Sequence, residues 1–116
     1  MYTVDFVEFP CGSASRSGRF FEEAFGWTTT SYGPDYVDVH ADGIGLGFQA
    51  DPSEKPTAPL VTIRTDDLAA ARKAIENAGG VVTVKPFDFP GGRRFHFREP
   101  GGCELAVWCP IGAPTS

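Results

Sequence analysis

The chain reads as an α+β protein made of two tandem βαβββ modules whose strands form a cupped mixed sheet. Three observations carry that reading. The order strand, helix, three strands occurs twice in 116 residues, a polar proline-rich segment divides the two passes, and turn residues are abundant, with 14 glycines and 10 prolines. A chain of this length forms one domain whose core needs no disulfide or metal staple.

The first pass opens with MYTVDFVEFP, where Val4, Phe6 and Glu8 alternate with Asp5, Val7 and Phe9 until Pro10 ends the strand. SASRSGRFFEEAF then predicts a helix, with serines to cap it, Phe20, Phe21, Ala24 and Phe25 at helical spacing, and Gly26 at the C-cap. WTTTSY, DYVDVH and IGLGFQ predict three short strands, broken by Gly33-Pro34 and by the turn ADG. Residues 51–59, DPSEKPTAP, have no periodicity and read as a linker between module one (1–50) and module two (60–109). In the second pass PLVTIR is the strand, and Thr65 or Asp66 can cap a helix whose buried stripe is Leu68, Ala71, Ile75 and Ala78. Gly79-Gly80 ends that helix. VVTVKPF, RRFHF and CELAVW follow, joined by DFPGG and EPGG turns, and 110–116 is a short tail.

Ten Lys and Arg against fifteen Asp and Glu give a net charge of −5, with no basic cluster longer than Arg93-Arg94. That excludes nucleic acid and anionic membranes as expected partners. No apolar run reaches the length of a membrane span. The opening residues start directly with strand alternation and show no basic or apolar leader, so a cytoplasmic location is expected. Cys11, Cys103 and Cys109 are odd in number and lack metal-type spacing, which fits reduced thiols. Parity puts Cys103 on the core side. Cys11 sits near a helix N-terminus but has no identifiable partner base.

One helix can cover one face of a four-stranded sheet, so each module leaves a second face to be covered or used. Two such faces can wrap into a shared cup that takes a small molecule.

The stretch RSGRFFEEAFGW, the helix opening TDDLAAARKAIENAGG and the hairpin FHFREPGGCELAVW resemble the vicinal oxygen chelate superfamily of glyoxalase I, bleomycin-resistance proteins and extradiol dioxygenases. The resemblance runs over about residues 3 to 109 and implies the glyoxalase/bleomycin resistance fold. It also implies a cup where, in metal-dependent members, four side chains from the first, fourth, fifth and eighth strands hold a divalent ion. By spacing, those positions fall on Phe6, on Leu46 or Gly47, on Leu60 and on Ala106. None offers the imidazole nitrogen or carboxylate oxygen that such ions need, so no metal is expected and no other cofactor is implied. A relocated site would have to draw on His40, His96, Glu8 and Glu104, from strands that are not all neighbours.

If Phe6, Leu60 and Ala106 face the cup, strand parity turns Glu8, Thr62, Arg64, Glu104 and Trp108 the same way, with Tyr36, Asp38, His40, Arg94 and His96. Trp27 and Phe48 are expected as aromatic walls, over a floor of Phe6, Leu46, Leu60 and Ala106. Such a lining suits a hydrophobic or aromatic ligand held by stacking and a few hydrogen bonds. Glu8 and Glu104 are the candidate general bases should burial raise their pKa values. The alternative is that they pair with Arg94 or Arg64 across strands. The expected function is metal-independent small-molecule binding of the bleomycin-resistance kind. The alternative is a glyoxalase-I-related lyase or isomerase, or a dioxygenase, using a non-standard metal site or Glu8 or Glu104 as base. The resemblance further implies a homodimer.

Overall fold

The computed structural model describes residues 1–112; residues 113–116, most of the expected tail, lie outside the described residues. The chain divides into two compact units, residues 5–60 and residues 1–4 with 61 onward. No helix among the described residues is long and apolar enough to cross a membrane.

In the first unit the strands lie in the order β2 (Thr28–Ser31), β3 (Tyr36–Ala41), β4 (Ile44–Gln49), β1 (Thr3–Pro10). β1 pairs parallel with β4, and the other pairings are antiparallel. Helix α1 (Ala14–Phe25) starts where the Ser13 side chain accepts the Arg16 N–H, and it stops at Gly26, whose φ of 71° only glycine adopts cheaply. Its buried positions are Ala14 and Gly18. A side chain at Gly18 would press on Val37 at 3.3 Å, so small residues set how near the helix lies to the sheet.

Beneath α1 sit Val37, Val39 and Phe48, joined by Phe9, Phe21, Trp27 and Leu46. Phe48 stacks on Phe9 and tilts against Phe21, each at 5.2 Å. The predicted helix stripe therefore needs correction. Ala14, Gly18 and Phe21 form it, while Phe20 and Ala24 rotate off it and Phe25 keeps one side in solvent above Trp27.

The second unit repeats the order as β5 (Leu60–Arg64), β8 (Glu104–Pro110), β7 (Gly92–Arg98), β6 (Val81–Phe89), with β5 and β8 parallel. Helix α2 (Leu68–Asn77) is capped by Asp67, which accepts the Ala70 N–H at 3.0 Å, rather than by Thr65 or Asp66. Thr65 is buried, and its hydroxyl oxygen instead takes the Asp67 N–H at 3.2 Å. Leu68, Ala71 and Ile75 face the core; Ala78 lies past the helix end and is exposed. Phe95, Phe97, Val107 and Cys109 complete that core.

Cys103, expected inside, is exposed in the turn before β8. There the Glu99 carboxylate accepts the N–H groups of Gly101 and Cys103, which holds the carboxylate pKa low, and in turn pushes the neighbouring thiol up.

At the β7–β8 ladder Gly92 faces Pro110, and a methyl group on it would overlap the carbonyl of Cys109. A backbone obstacle cannot swing aside. Gly92→Ala is expected to lower unfolding stability by about 2–3 kcal/mol in chemical denaturation, whereas an unchanged midpoint would mean that the ladder shifts freely.

Candidate functional site

Register decides what each sheet shows on the face turned away from its helix. In the first unit Phe6 pairs with Gly45 and Glu8 with Gly47, and Gly47 also faces Asp38. That face therefore carries Phe6, Glu8, Tyr36, Asp38 and His40. Leu46, Phe48 and Trp27 belong to the opposite, helix-side core, so all three are corrected as lining residues. The physical reason is the period of two: with Val37 and Val39 under α1, their partners Phe48 and Leu46 must point there too. Between the two alternatives for the fourth-strand position, Gly47 is the one that shares a face with Phe6.

The two bare glycines leave room for aromatic rings. A methyl group on Gly47 would overlap both the Tyr36 hydroxyl and the Phe6 ring, and one on Gly45 would press on Phe6. Tyr36, which parity already placed on this face, is thereby seated between two acids. Its hydroxyl lies 3.5 Å from Glu8 Oε1 and is also hydrogen-bonded to Asp38. Glu8 is only 5% exposed. Burial raises the Asp38 pKa, an effect that the Tyr36 hydrogen bond and His40 only partly offset. The Tyr36 hydroxyl donates toward Glu8, and its hydrogen bond to Asp38 favours that group's ionised form. His40 stands apart at the exposed edge, its Nε2 2.8 Å from the Thr30 hydroxyl.

In the second unit Thr62 and His96 both pair with Ala106, while Arg64 and Arg94 both pair with Trp108. These residues and Glu104 share the face away from α2. Arg64 lies over the Trp108 ring at 5.5 Å, and Phe89 meets Trp108 edge-on at 6.0 Å. Arg94 lies over Phe87 at 5.2 Å and over Phe89 at 5.6 Å. The result is a run of alternating rings and guanidinium groups. Phe87 and Phe89 were not legible as members because β6 shifts register between Val82 and Val84 and again between Val84 and Phe87, which breaks simple parity.

Glu104 accepts the Thr83 hydroxyl at 2.6 Å and lies 4.0 Å from His96 Nδ1. Burial, reinforced by Arg94, pushes the His96 pKa down against the pull of Glu104, so its imidazole is neutral at neutral pH. Leu60 is buried at the start of β5.

Phe6, Gly47, Leu60 and Ala106 bring no donor atom to the positions that hold the ion in metal-dependent relatives. Among the described residues no group of three or more His, Cys, Asp or Glu side chains is arranged to hold one elsewhere. The residues present do not fit the metal.

The model of the Glyoxalase/Bleomycin resistance protein/Dioxygenase superfamily matches residues 3–107. The chain belongs to this superfamily. Superfamily members bind small molecules and often dimerise. The "Anthracycline biosynthesis protein DnrV" of Streptomyces peucetius is 32% identical over 113 residues, and DauV of Streptomyces sp. (strain C5) is 31% identical. Both alignments take in 79% of this chain, which spans about 41% of the length of these two curated relatives. A solved structure of methylmalonyl-CoA epimerase from Mycobacterium tuberculosis shares the fold at a TM-score of 0.74. It is 14% identical, with 93% of this chain and 87% of that one covered.

Two measurements check these electrostatics. The raised Asp38 pKa means that the folded state holds this proton more tightly than the unfolded chain. Asp38 therefore opposes folding at neutral pH, and the opposition fades as pH falls through its folded value. Asp38→Asn is expected to raise the melting temperature at pH 7 and to lose that advantage at acid pH. An Asp38→Asn variant less stable at both pH values would refute the burial account. For His96 the shift is opposite, so protonation below the ordinary imidazole pKa costs stability. An NMR titration should place its midpoint below 6.5, the ordinary value.

Proposed function

We propose that this superfamily member is a metal-independent binding protein for a hydrophobic, aromatic small molecule, in the manner of the bleomycin-resistance branch. Phe87, Phe89, Arg94, Arg64 and Trp108 form the principal contact surface, and the alternating ring and guanidinium face is the observation that carries the reading. Flat apolar rings stack on such a surface, and the cations favour electron-rich aromatics or a nearby anionic group. The relative DnrV, an anthracycline biosynthesis protein, supports an aromatic ligand, since anthracyclines are fused-ring aromatic compounds.

A minimal probe, 2-methoxynaphthalene, should bind in isothermal titration calorimetry, and Trp108→Ala should weaken it by about tenfold or more. Unchanged affinity in Trp108→Ala and Phe89→Ala would overturn the assignment. Elemental analysis after incubation with Ni, Zn, Mn and Fe should find far less than one metal per chain, and a stoichiometric ion would refute metal independence. We also propose a homodimer; a monomer mass in light scattering would count against it.

A second reading, proton-transfer chemistry, is supported by the Glu8–Tyr36–Asp38 chain alone. A buried carboxylate beside a phenol is a competent general base. Exchange of an acidic C–H of a bound carbonyl compound with solvent deuterium, lost in Glu8→Gln, would favour that reading over binding alone.

A further inference from the structure

Helix α1 carries an aromatic patch that the core does not absorb. Phe20 and Phe25 are 57% and 56% exposed, yet both rings are held in place. Phe20 meets Phe21 edge-on at 5.1 Å, and Phe25 stacks on Trp27 at 5.0 Å. Phe21 and Trp27 themselves pack against the core of the first unit, so they fix the outer rings from beneath. Those outer rings lie 6.4 Å apart and form one surface. Pre-positioned aromatic rings left in water are costly for a free chain and mark a contact surface.

The charges around that patch identify what covers it. Arg16 lies in the first turn of α1, which holds no acid, and Glu22 and Glu23 lie in the last, which holds no base. That order opposes the helix dipole, which favours acids at the start and bases at the end. Glu22 accepts the Thr29 hydroxyl, but Arg16, Arg19 and Glu23 form no ion pair among the described residues. Arg16, Phe20 and Glu23 follow one another at i, i+4 and i+7, so they share one exposed stripe. Reversing the direction of such a helix exchanges its basic and acidic ends. The stripe is therefore complementary to an antiparallel copy of itself, whereas a parallel copy would set Arg16 against Arg16.

We propose that α1 is the centre of the contact between two copies of this chain, crossed antiparallel about a two-fold axis near Phe20. Arg16 of each copy then faces Glu23 of the other, and Arg19 lies against the Phe20 ring across the axis. Aromatic and arginine side chains are the residues that dominate interface energies. A two-fold contact uses the same patch on both copies, so assembly stops at the dimer. This rests on the homodimer proposed above and names its surface. The contact uses the outer side of α1 and none of the residues assigned to the ligand.

The test is sedimentation velocity on the full chain over a dilution series at neutral pH. The parent chain is expected to dimerise, and Phe20→Gln to raise the dissociation constant by about tenfold or more. Arg16→Glu alone and Glu23→Arg alone should each weaken the dimer, because each sets like charges opposite one another. The double variant Arg16→Glu/Glu23→Arg restores the pairing with its signs exchanged and should return the dissociation constant toward the parent value. Both charge replacements agree with the helix dipole, so a weakened dimer cannot be put down to a melted helix. A double variant that dimerises no better than the single ones overturns the antiparallel order. A dimer indifferent to Phe20→Gln and to both charge replacements overturns the α1 contact and leaves the homodimer standing. A chain that stays monomeric at every concentration overturns both and leaves the patch to an unrelated protein.

Discussion

The parallel pairing of first and last strands within each module is the constraint on which the rest depends. Phe6 opposite Gly45 in one unit and Thr62 opposite Ala106 in the other set the parity of every neighbouring strand. A slip of one residue would exchange Val39 for Asp38 under the first helix, and Phe95 for His96 or Arg94 under the second. Burial of apolar side chains on the helix side enforces the register. The polar and aromatic groups on the other side take positions that the core has already chosen.

The two modules use the same scaffold for different electrostatics. In the first, glycines at 45 and 47 let rings settle over β4 and bring a phenol between two carboxyl groups. In the second, the equivalent face holds guanidinium groups over aromatic rings and a neutral imidazole. The duplicated order of elements is thus compatible with two chemically distinct surfaces, one acidic and one cationic. Neither disturbs the core behind it, because alternation insulates one face of a strand from the other.

Much of this was legible in the chain. The doubled βαβββ order, the helix ends at Ser13 and Gly26, and the faces of Glu8, Thr62, Glu104 and Trp108 follow from periodicity and turn chemistry. Trp27 and Phe48 were misassigned because aromatic character was read as lining, and Leu46 because the spacing of the fourth-strand position was taken one residue short of Gly47, although parity with Val37 and Val39 already placed positions 46 and 48 in the core. Phe87 and Phe89 were hidden by bulges, which leave no reliable mark in an alternating run. Tyr36 owes its role to empty space above Gly47, and such space is a property of packing that no local pattern records. Cys103 was misread because β8 starts one residue later than the hydrophobic run implied.

Ala106 carries a consequence for how such a chain can change over time. Its side chain is wholly enclosed in the middle of β8, between Thr62 and His96. A carboxylate placed there would lose its hydration with no cation to balance it, and it would have to displace neighbours packed at interior density. Acidic groups at Phe6 and at the buried Leu60 would meet similar penalties before an ion arrived to offset them. Each single step toward a metal-holding set of residues would therefore pass through a less stable protein, and only several simultaneous replacements would be rewarded. Stability, rather than lack of opportunity, therefore stands between this core and a metal site.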